Sequence, residues 1–155
     1  MKSKHLRIKL LLVALAILVI GTTVVLYLYF QPHRNVQETK TDFSYPASEI
    51  VNEYIANPEA ANNKFLDQEG DSKIIEVKGK VAELSTNFNG NLVVLLSDTL
   101  APAGVSCTFL NSPSSPSLVL GQEVIIKGVI RAGASYDSDL DMYEHVILEE
   151  CALKP

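Results

Sequence analysis

The segment YDSDLDMYE, residues 136–144, carries four carboxylates in nine residues of this 155-residue chain and is its sharpest local feature. Asp137, Asp139 and Asp141 alternate as at the start of a calcium loop, because a hard cation binds several converging carboxylates. Glu144 could supply a fourth carboxylate. The EF-hand pattern then fails, since methionine and leucine hold its glycine and glutamate positions. A solvated acidic loop is the first interpretation, and a looser calcium site is the second.

Catalytic patterns are weak by comparison. The three histidines are His5, His33 and His145, and no nucleophile elbow, zinc-protease or P-loop pattern occurs in the sequence. His145 follows Glu144 and could form an acid/base pair with it, although a solvated pair at the start of a strand is the simpler interpretation. We expect no enzymatic activity and no cofactor, with a hydrolase as the alternative.

A long apolar block precedes these residues. Residues 10–30, LLLVALAILVIGTTVVLYLYF, are 21 consecutive residues without a charge. At about 1.5 Å rise per residue, a helix of this length spans the roughly 30 Å hydrocarbon core of a bilayer. A cleaved signal peptide has a shorter apolar core, of about 7–15 residues, followed by a cleavage site with small residues. We therefore predict an uncleaved transmembrane anchor, with a cleaved signal or a buried soluble helix as alternatives.

The charges give this anchor an orientation. Four of the 13 Lys and Arg residues lie within residues 1–9, which by the positive-inside rule predicts a cytoplasmic N-terminus. The other nine follow the block with all 18 acidic residues, so the remainder carries a net charge of −9. Such a domain repels phosphate backbones, and no nucleic acid is expected as a partner. We predict a membrane anchor at 10–30, a stalk at 31–45 and a periplasmic or extracellular domain at 46–155.

Two short helices are predicted at the start of that domain. Ile50, Val51 and Tyr54 share one stripe at helical spacing. Asn57 is a good N-cap for the second helix, because proline and glutamate follow it. We expect these helices to cover one end of a sheet core.

From residue 74 the apolar period changes to two, which predicts five strands. The first, IIEVKGKVAEL, and the fourth, EVIIKGVI, share a pattern in which Gly79 or Gly128 replaces an apolar residue. No helical pattern alternates with the strands, so we predict a closed antiparallel barrel in which each glycine marks a bend. In the alternative, an open sandwich, the glycines mark simple bulges.

Several segments also resemble a known family. SEIVNEYIANPEAANNKF, VKGKV, VSCTF, LGQEVIIKGVI and VILEECAL together resemble the tRNA-anticodon-domain-like (tRNA_anti-like) family over about residues 46–153. The resemblance implies a five-stranded OB-fold Greek-key barrel after short helices, with the first and fourth strands paired. It implies a bacterial protein of unknown function, with no catalytic residues and no tRNA binding. Members tend to have a helix between strands three and four, where this chain has Pro113 and Pro116.

The two cysteines fall on the third and fifth strands, which are neighbours in an OB barrel. Strand alternation points Cys107 inward, whereas Cys151 points inward only if a bulge near Glu149 and Glu150 resets the phase. A disulfide between them is possible in an oxidising compartment. Two small buried hydrophobic residues are the simpler interpretation.

Loop residues are the remaining candidates for ligand contacts. The loops joining strands 1–2 and 4–5 flank the binding face of OB folds; Phe88 and Asn89 lie in the first, Tyr136 and Tyr143 in the second. We predict a membrane-anchored extracytoplasmic OB-fold module that binds a protein or a cell-envelope component. The alternative is a structural subunit of a membrane complex, held by its anchor helix.

Overall fold

The computed structural model describes residues 2–29, 35–67, 70–98, 101–110 and 117–154. The chain divides into two compact units, Met1–Arg34 and Asn35–Pro155. The first unit contains helix α1, Lys2–Tyr29. Among the described residues, no helix combines the length and the apolar character needed to cross a membrane. The transmembrane helix predicted at residues 10–30 is therefore not confirmed.

The second unit contains both predicted short helices, α2 (Ala47–Ala56) and α3 (Pro58–Phe65). The Asn57 side chain accepts a hydrogen bond from the Ala60 N–H at 3.0 Å, which satisfies one free donor at the start of α3. Helix α2 buries a stripe that includes Ile50, Val51 and Tyr54.

The described part of the second unit contains eight strands. In chain order they are β1 (Phe43–Pro46), β2 (Ile74–Thr86), β3 (Leu92–Leu96), β4 (Val105–Phe109), β5 (Glu123–Ala132), β6 (Tyr136–Asp137), β7 (Met142–Tyr143) and β8 (Val146–Leu153). The main sheet has the order β1-β2-β3-β4-β8-β5, and pairing of β2 with β5 closes it. The five long strands are those predicted from the sequence, so the OB-fold barrel is confirmed. The prediction of an antiparallel barrel is wrong at one pair, because β4 runs parallel to β8, whereas the other barrel pairs are antiparallel.

Strand β1 differs from the prediction, because its first residues were assigned to the stalk at 31–45. Phe43–Pro46 instead pairs in parallel with β2, from Ile75 to Lys78. Val36, earlier in the same segment, is buried with Ile74 and Val129. Apolar burial thus attaches the chain to the barrel unit well before the predicted domain start at residue 46.

Gly79 and Gly128 both lie in the β2–β5 pair that closes the barrel, as predicted, but they have different neighbours. A Cβ atom on Gly79 would lie 3.0 Å from the Cβ of Ala47, so the glycine lets α2 approach β2 closely. The register of β2 against β3 shifts between Val81 and Glu83, and the bend therefore lies beyond Gly79, where β2 leaves β5 for β3. At Gly128 the predicted irregularity is present, because the β5–β8 register shifts between Lys127 and Val129.

The connection between β4 and β5 differs from the cap that the family resemblance implies. Residues 110 and 117–122 contain no helix, and Leu118 packs against the core instead. Pro113 and Pro116 lie outside the described residues.

Candidate binding face

The register of four strands defines a continuous outward surface on the barrel. Residues opposed on neighbouring strands project from the same side of a sheet. Val94, Leu96 and Cys107 are buried, so the residues that alternate with them face outward. Two opposed rows form what we call the outer face: Glu83, Leu95, Ser106 and Ile147 in one row, and Ser85, Val93 and Thr108 in the other.

The outer face is apolar at its centre. Val93 and Leu95 are half-buried, and Ile147 retains 39% of its exposure. Ser85, Ser106 and Thr108 supply hydroxyl groups next to these aliphatic residues, and Glu83 is the one charged residue of the seven. The outer face therefore offers aliphatic contact and hydrogen bonds, with no aromatic ring and no cationic group.

The loop between β2 and β3, residues 87–91, is a turn fixed by its own side chain. The Asn87 side-chain oxygen accepts hydrogen bonds from the N–H groups of Asn89 and Asn91, at 3.0 and 2.9 Å. Gly90 has a φ of +79°, in the left-handed region where glycine carries no steric penalty. This arrangement leaves the Phe88 ring fully exposed at the tip.

The loop between β5 and β8, residues 133–145, contains the small β6–β7 hairpin. Tyr136 is opposed to Tyr143, and their ring centroids lie 5.1 Å apart. Leu140 and Met142 are exposed on the same hairpin. Two of the predicted contact residues, Tyr136 and Tyr143, thus form one aromatic pair.

The four carboxylates proposed as calcium ligands in this loop do not converge: three of them accept hydrogen bonds from different groups within the loop. The Asp137 carboxylate accepts from the N–H groups of Asp139 and Leu140. The Asp141 carboxylate accepts from the Tyr136 hydroxyl, and this hydrogen bond raises the pKa of Tyr136. Glu144 accepts from the Ser135 hydroxyl. No group of three or more metal-ligating side chains is found among the described residues.

Positive charge is sparse in the chain around the outer face, which Lys80 on β2 and Arg131 on β5 border. The sequence has no Lys or Arg between Lys80 and Lys127, which covers the end of β2, all of β3 and β4 and their loops. None occurs between Arg131 and Lys154, which covers the β6–β7 hairpin and β8. Glu83 and the four loop carboxylates take part in none of the ion pairs among described residues.

Two lysines near the β2–β5 pair are each bound to a glutamate. Lys78 lies 3.1 Å from Glu123, and Lys154 lies 2.8 Å from Glu76. An open cavity of about 420 Å³ lies beside these pairs and includes Ile125 in its lining. Because its charges are already neutralised within the domain, this cavity is a weaker candidate site than the outer face.

Both cysteines are buried free thiols, and the bulge predicted for β8 is present. The β4–β8 register advances by two residues on β4 and three on β8, and Glu150 has a φ of 53°. Burial raises the pKa of Cys151 well above its usual value, and its hydrogen bond with Cys107 acts in the same direction. Cys107 is opposed to Leu148, not to Cys151, so the cysteines are diagonal neighbours, and the two interpretations of them, a disulfide or two buried thiols, stay open.

His145 has a structural contact that the sequence did not reveal. Its Nδ1 atom accepts a hydrogen bond from the Gly104 N–H at 3.0 Å, which ties the start of β8 to the start of β4. Glu144 contacts Ser135 instead. Glu144 and His145 are therefore not brought together as an acid/base pair.

A closed five-stranded barrel with this strand order, helical lead-in and flanking loops defines an OB-fold protein. The sequence matches the tRNA_anti-like family over residues 1–139, and the chain belongs to that family.

Among solved structures, the chain is similar to one described as a "putative nucleic acid-binding lipoprotein" from Klebsiella pneumoniae subsp. pneumoniae MGH 78578. The two are 17% identical with a TM-score of 0.54, and the alignment covers 81% of this chain and 100% of that one. At this identity the likeness supports the fold alone. No curated protein matches the sequence.

Proposed function

We propose that this protein is an OB-fold binding module whose outer face recognises a protein partner. The observation that carries the proposal is the aliphatic centre of that face, Val93, Leu95 and Ile147, within a set of seven residues that includes no basic side chain. Aliphatic contact at the centre of an interface with a polar rim is the usual arrangement between proteins. Phe88 and the Tyr136–Tyr143 pair supply the aromatic groups that often dominate such contacts.

A nucleic acid is the second candidate, because the similar Klebsiella structure is described as nucleic acid-binding. Binding of single strands depends on Lys and Arg that neutralise phosphates and on rings that stack with bases. The seven residues of the outer face include neither type, and five carboxylates lie on or near it without an ion pair among the described residues. These features favour a protein over a nucleic acid.

We propose further that residues 10–30 anchor the protein in a membrane, with the domain outside the cytoplasm. Support comes from the sequence, in which this block has no charge and basic residues precede it. Alkaline carbonate extraction of cell membranes tests the anchor: the full chain should stay in the pellet. Its release into the supernatant would contradict anchoring.

Site-specific photo-crosslinking in the full chain tests the binding face. A photoreactive amino acid at position 95, within the outer face, should capture a discrete protein partner in living cells. The matched control is position 125, another half-buried outward position, on the opposite side of the barrel. Capture at position 125 but not at 95 would contradict the proposed face. Capture only from positions in α1 would favour the alternative, a membrane-complex subunit held by its helix.

A binding assay with labelled single-stranded RNA and DNA separates the two ligand classes. The full chain should show no saturable binding at physiological salt. Saturable binding that Leu95→Ser abolishes would replace the protein partner with a nucleic acid at the same face.

A further inference from the structure

The distribution of charge on the barrel indicates what kind of protein segment the outer face accepts. Acidic side chains occur on both sides of the barrel, but their surroundings differ. Near the β2–β5 seam, Glu76 and Glu123 each have a lysine partner within 3.1 Å. The carboxylates of the outer face and its neighbouring loop have no such partner among the described residues.

The chain supplies few cations near these carboxylates. The 46 residues between Lys80 and Lys127 contain no basic side chain, and neither do those between Arg131 and Lys154. Arg131 is already paired with Glu149 and Glu150, at 3.2 and 3.3 Å. The carboxylates of the outer face and of residues 137–144 thus form no ion pair among the described residues and are open to an external cation.

We infer that the partner presents a basic segment in which Lys or Arg alternates with aliphatic residues. Its aliphatic side chains contact Val93, Leu95 and Ile147, and its cations approach Glu83 and the carboxylates of residues 137–144. The inference rests on the proposed protein-binding function and adds the chemical class of the partner. Charge complementarity of this kind speeds association and excludes partners of the wrong sign.

The hairpin geometry keeps this acidic side open to solvent. Asp137 and Asp141 contact only groups within the loop, and those contacts fix the turn without neutralising the carboxylates. Four carboxylates in eight residues therefore remain available to a cationic segment, next to the exposed Leu140 and Met142.

Three fluorescent peptides of equal length test the inference against the full chain in a neutral detergent. The first alternates Lys with Leu, the second alternates Glu with Leu, and the third alternates Lys with Ser. The Lys–Leu peptide should bind at least about tenfold more tightly than either of the others, and added salt should weaken its binding. Equal or tighter binding of the Glu–Leu peptide would overturn the inference.

Variants place the binding on the outer face. Leu95→Ser and Glu83→Gln should each weaken the Lys–Leu peptide several-fold, whereas the matched Ile125→Ser and Glu123→Gln on the other side should not. An equal loss in the matched pair would mean non-specific attraction and would also overturn the inference. So would self-association of the chain that Leu95→Ser abolishes, because a second copy would then be the occupant.

The two proposals fail in different ways. If position 95 captures a protein in cells but the Lys–Leu peptide does not bind, the protein-binding function stands and the basic partner is wrong. If position 95 captures nothing and no peptide binds, the proposed face itself is wrong.

Discussion

Tyr54 offers a sharp test of how the helices are packed on the barrel. Its side chain is 1% exposed, its ring lies 5.8 Å from that of Phe65, and its hydroxyl has no hydrogen-bond partner in the described part of the chain. A buried polar group without a partner costs about 1–3 kcal/mol. Tyr54→Phe removes this cost and keeps the ring. We therefore expect the variant to be more stable than the parent at neutral pH, by about 1 kcal/mol.

The pH dependence provides a second measurement on the same residue. Burial raises the pKa of Tyr54 from 10.0 to about 12, and the nearby Glu53 carboxylate adds to the effect. The folded state holds this proton more tightly than the unfolded state, so the stabilisation is present below pH 10 and is lost as pH rises towards 12. At about 1.4 kcal/mol per unit, the loss over this window is about 2–3 kcal/mol. Tyr54→Phe should remove that part of the alkaline destabilisation.

Guanidinium unfolding of the full chain, followed by circular dichroism, measures both effects. Tyr45→Phe is the matched control, because the Tyr45 hydroxyl accepts a hydrogen bond from Lys64 at 2.7 Å. Its loss should lower stability by up to about 1 kcal/mol, opposite in sign to Tyr54→Phe. If Tyr54→Phe is instead destabilising by a similar amount, the Tyr54 hydroxyl has a partner in solution and the helices pack differently around it.

Four further predictions concern other parts of the fold. Gly133→Ala should lower the free energy of unfolding by about 3 kcal/mol or more, since a Cβ there would lie 1.9 Å from the Tyr54 ring, whereas a mild effect in denaturant titration would contradict that contact. Hydrogen bonds from Lys154, and to a smaller extent from Thr41, lower the pKa of Glu76. The ionised Glu76 therefore stabilises the folded state above the usual pKa of glutamate, and this stabilisation is lost as the pH falls from there through the lowered pKa. Glu76→Gln should flatten that acid limb, and an unchanged limb would argue against the contacts. Millimolar calcium should leave the melting temperature unchanged, because the loop carboxylates do not converge; a rise would show a calcium site. Thiol counting after denaturation without reductant should find both cysteines free, since both are unbonded thiols in the barrel and Cys107 is opposed to Leu148; a missing pair of thiols would show a disulfide.

Much of the fold follows from local patterns in the sequence. The change of apolar period at residue 74 and the caps around Asn57 are strong signals, because they depend only on neighbouring residues. Strand β1 is missed, since a four-residue segment that ends in Pro46 has no period of its own and pairs with a strand some 30 residues away. This strand can be assigned only from its tertiary contacts, because no local sequence pattern predicts it.

The candidate site divides in the same way. Loop aromatics such as Phe88 can be placed from turn signals, but the outer face depends on the register of four strands. A bulge between Val81 and Glu83 and another at Glu150 change which residues point outward, and both depend on long-range pairing. A shift of one residue exchanges the two faces of a strand. The aliphatic row therefore becomes visible only in the structure.

The repeated strand pattern shows why similar sequence need not mean a similar role. A Cβ on Gly79 would meet Ala47 of α2, whereas a Cβ on Gly128 would lie 2.6 Å from the Cys151 sulfur on β8. Both glycines have ordinary φ values, so each is required by the space that a neighbour occupies and not by the backbone conformation. When the small barrel closes, another element packs closely against each of the two paired strands: helix α2 against β2, and the bulged strand β8 against β5. The same residue type meets both needs, and the repeat is thus a consequence of barrel closure.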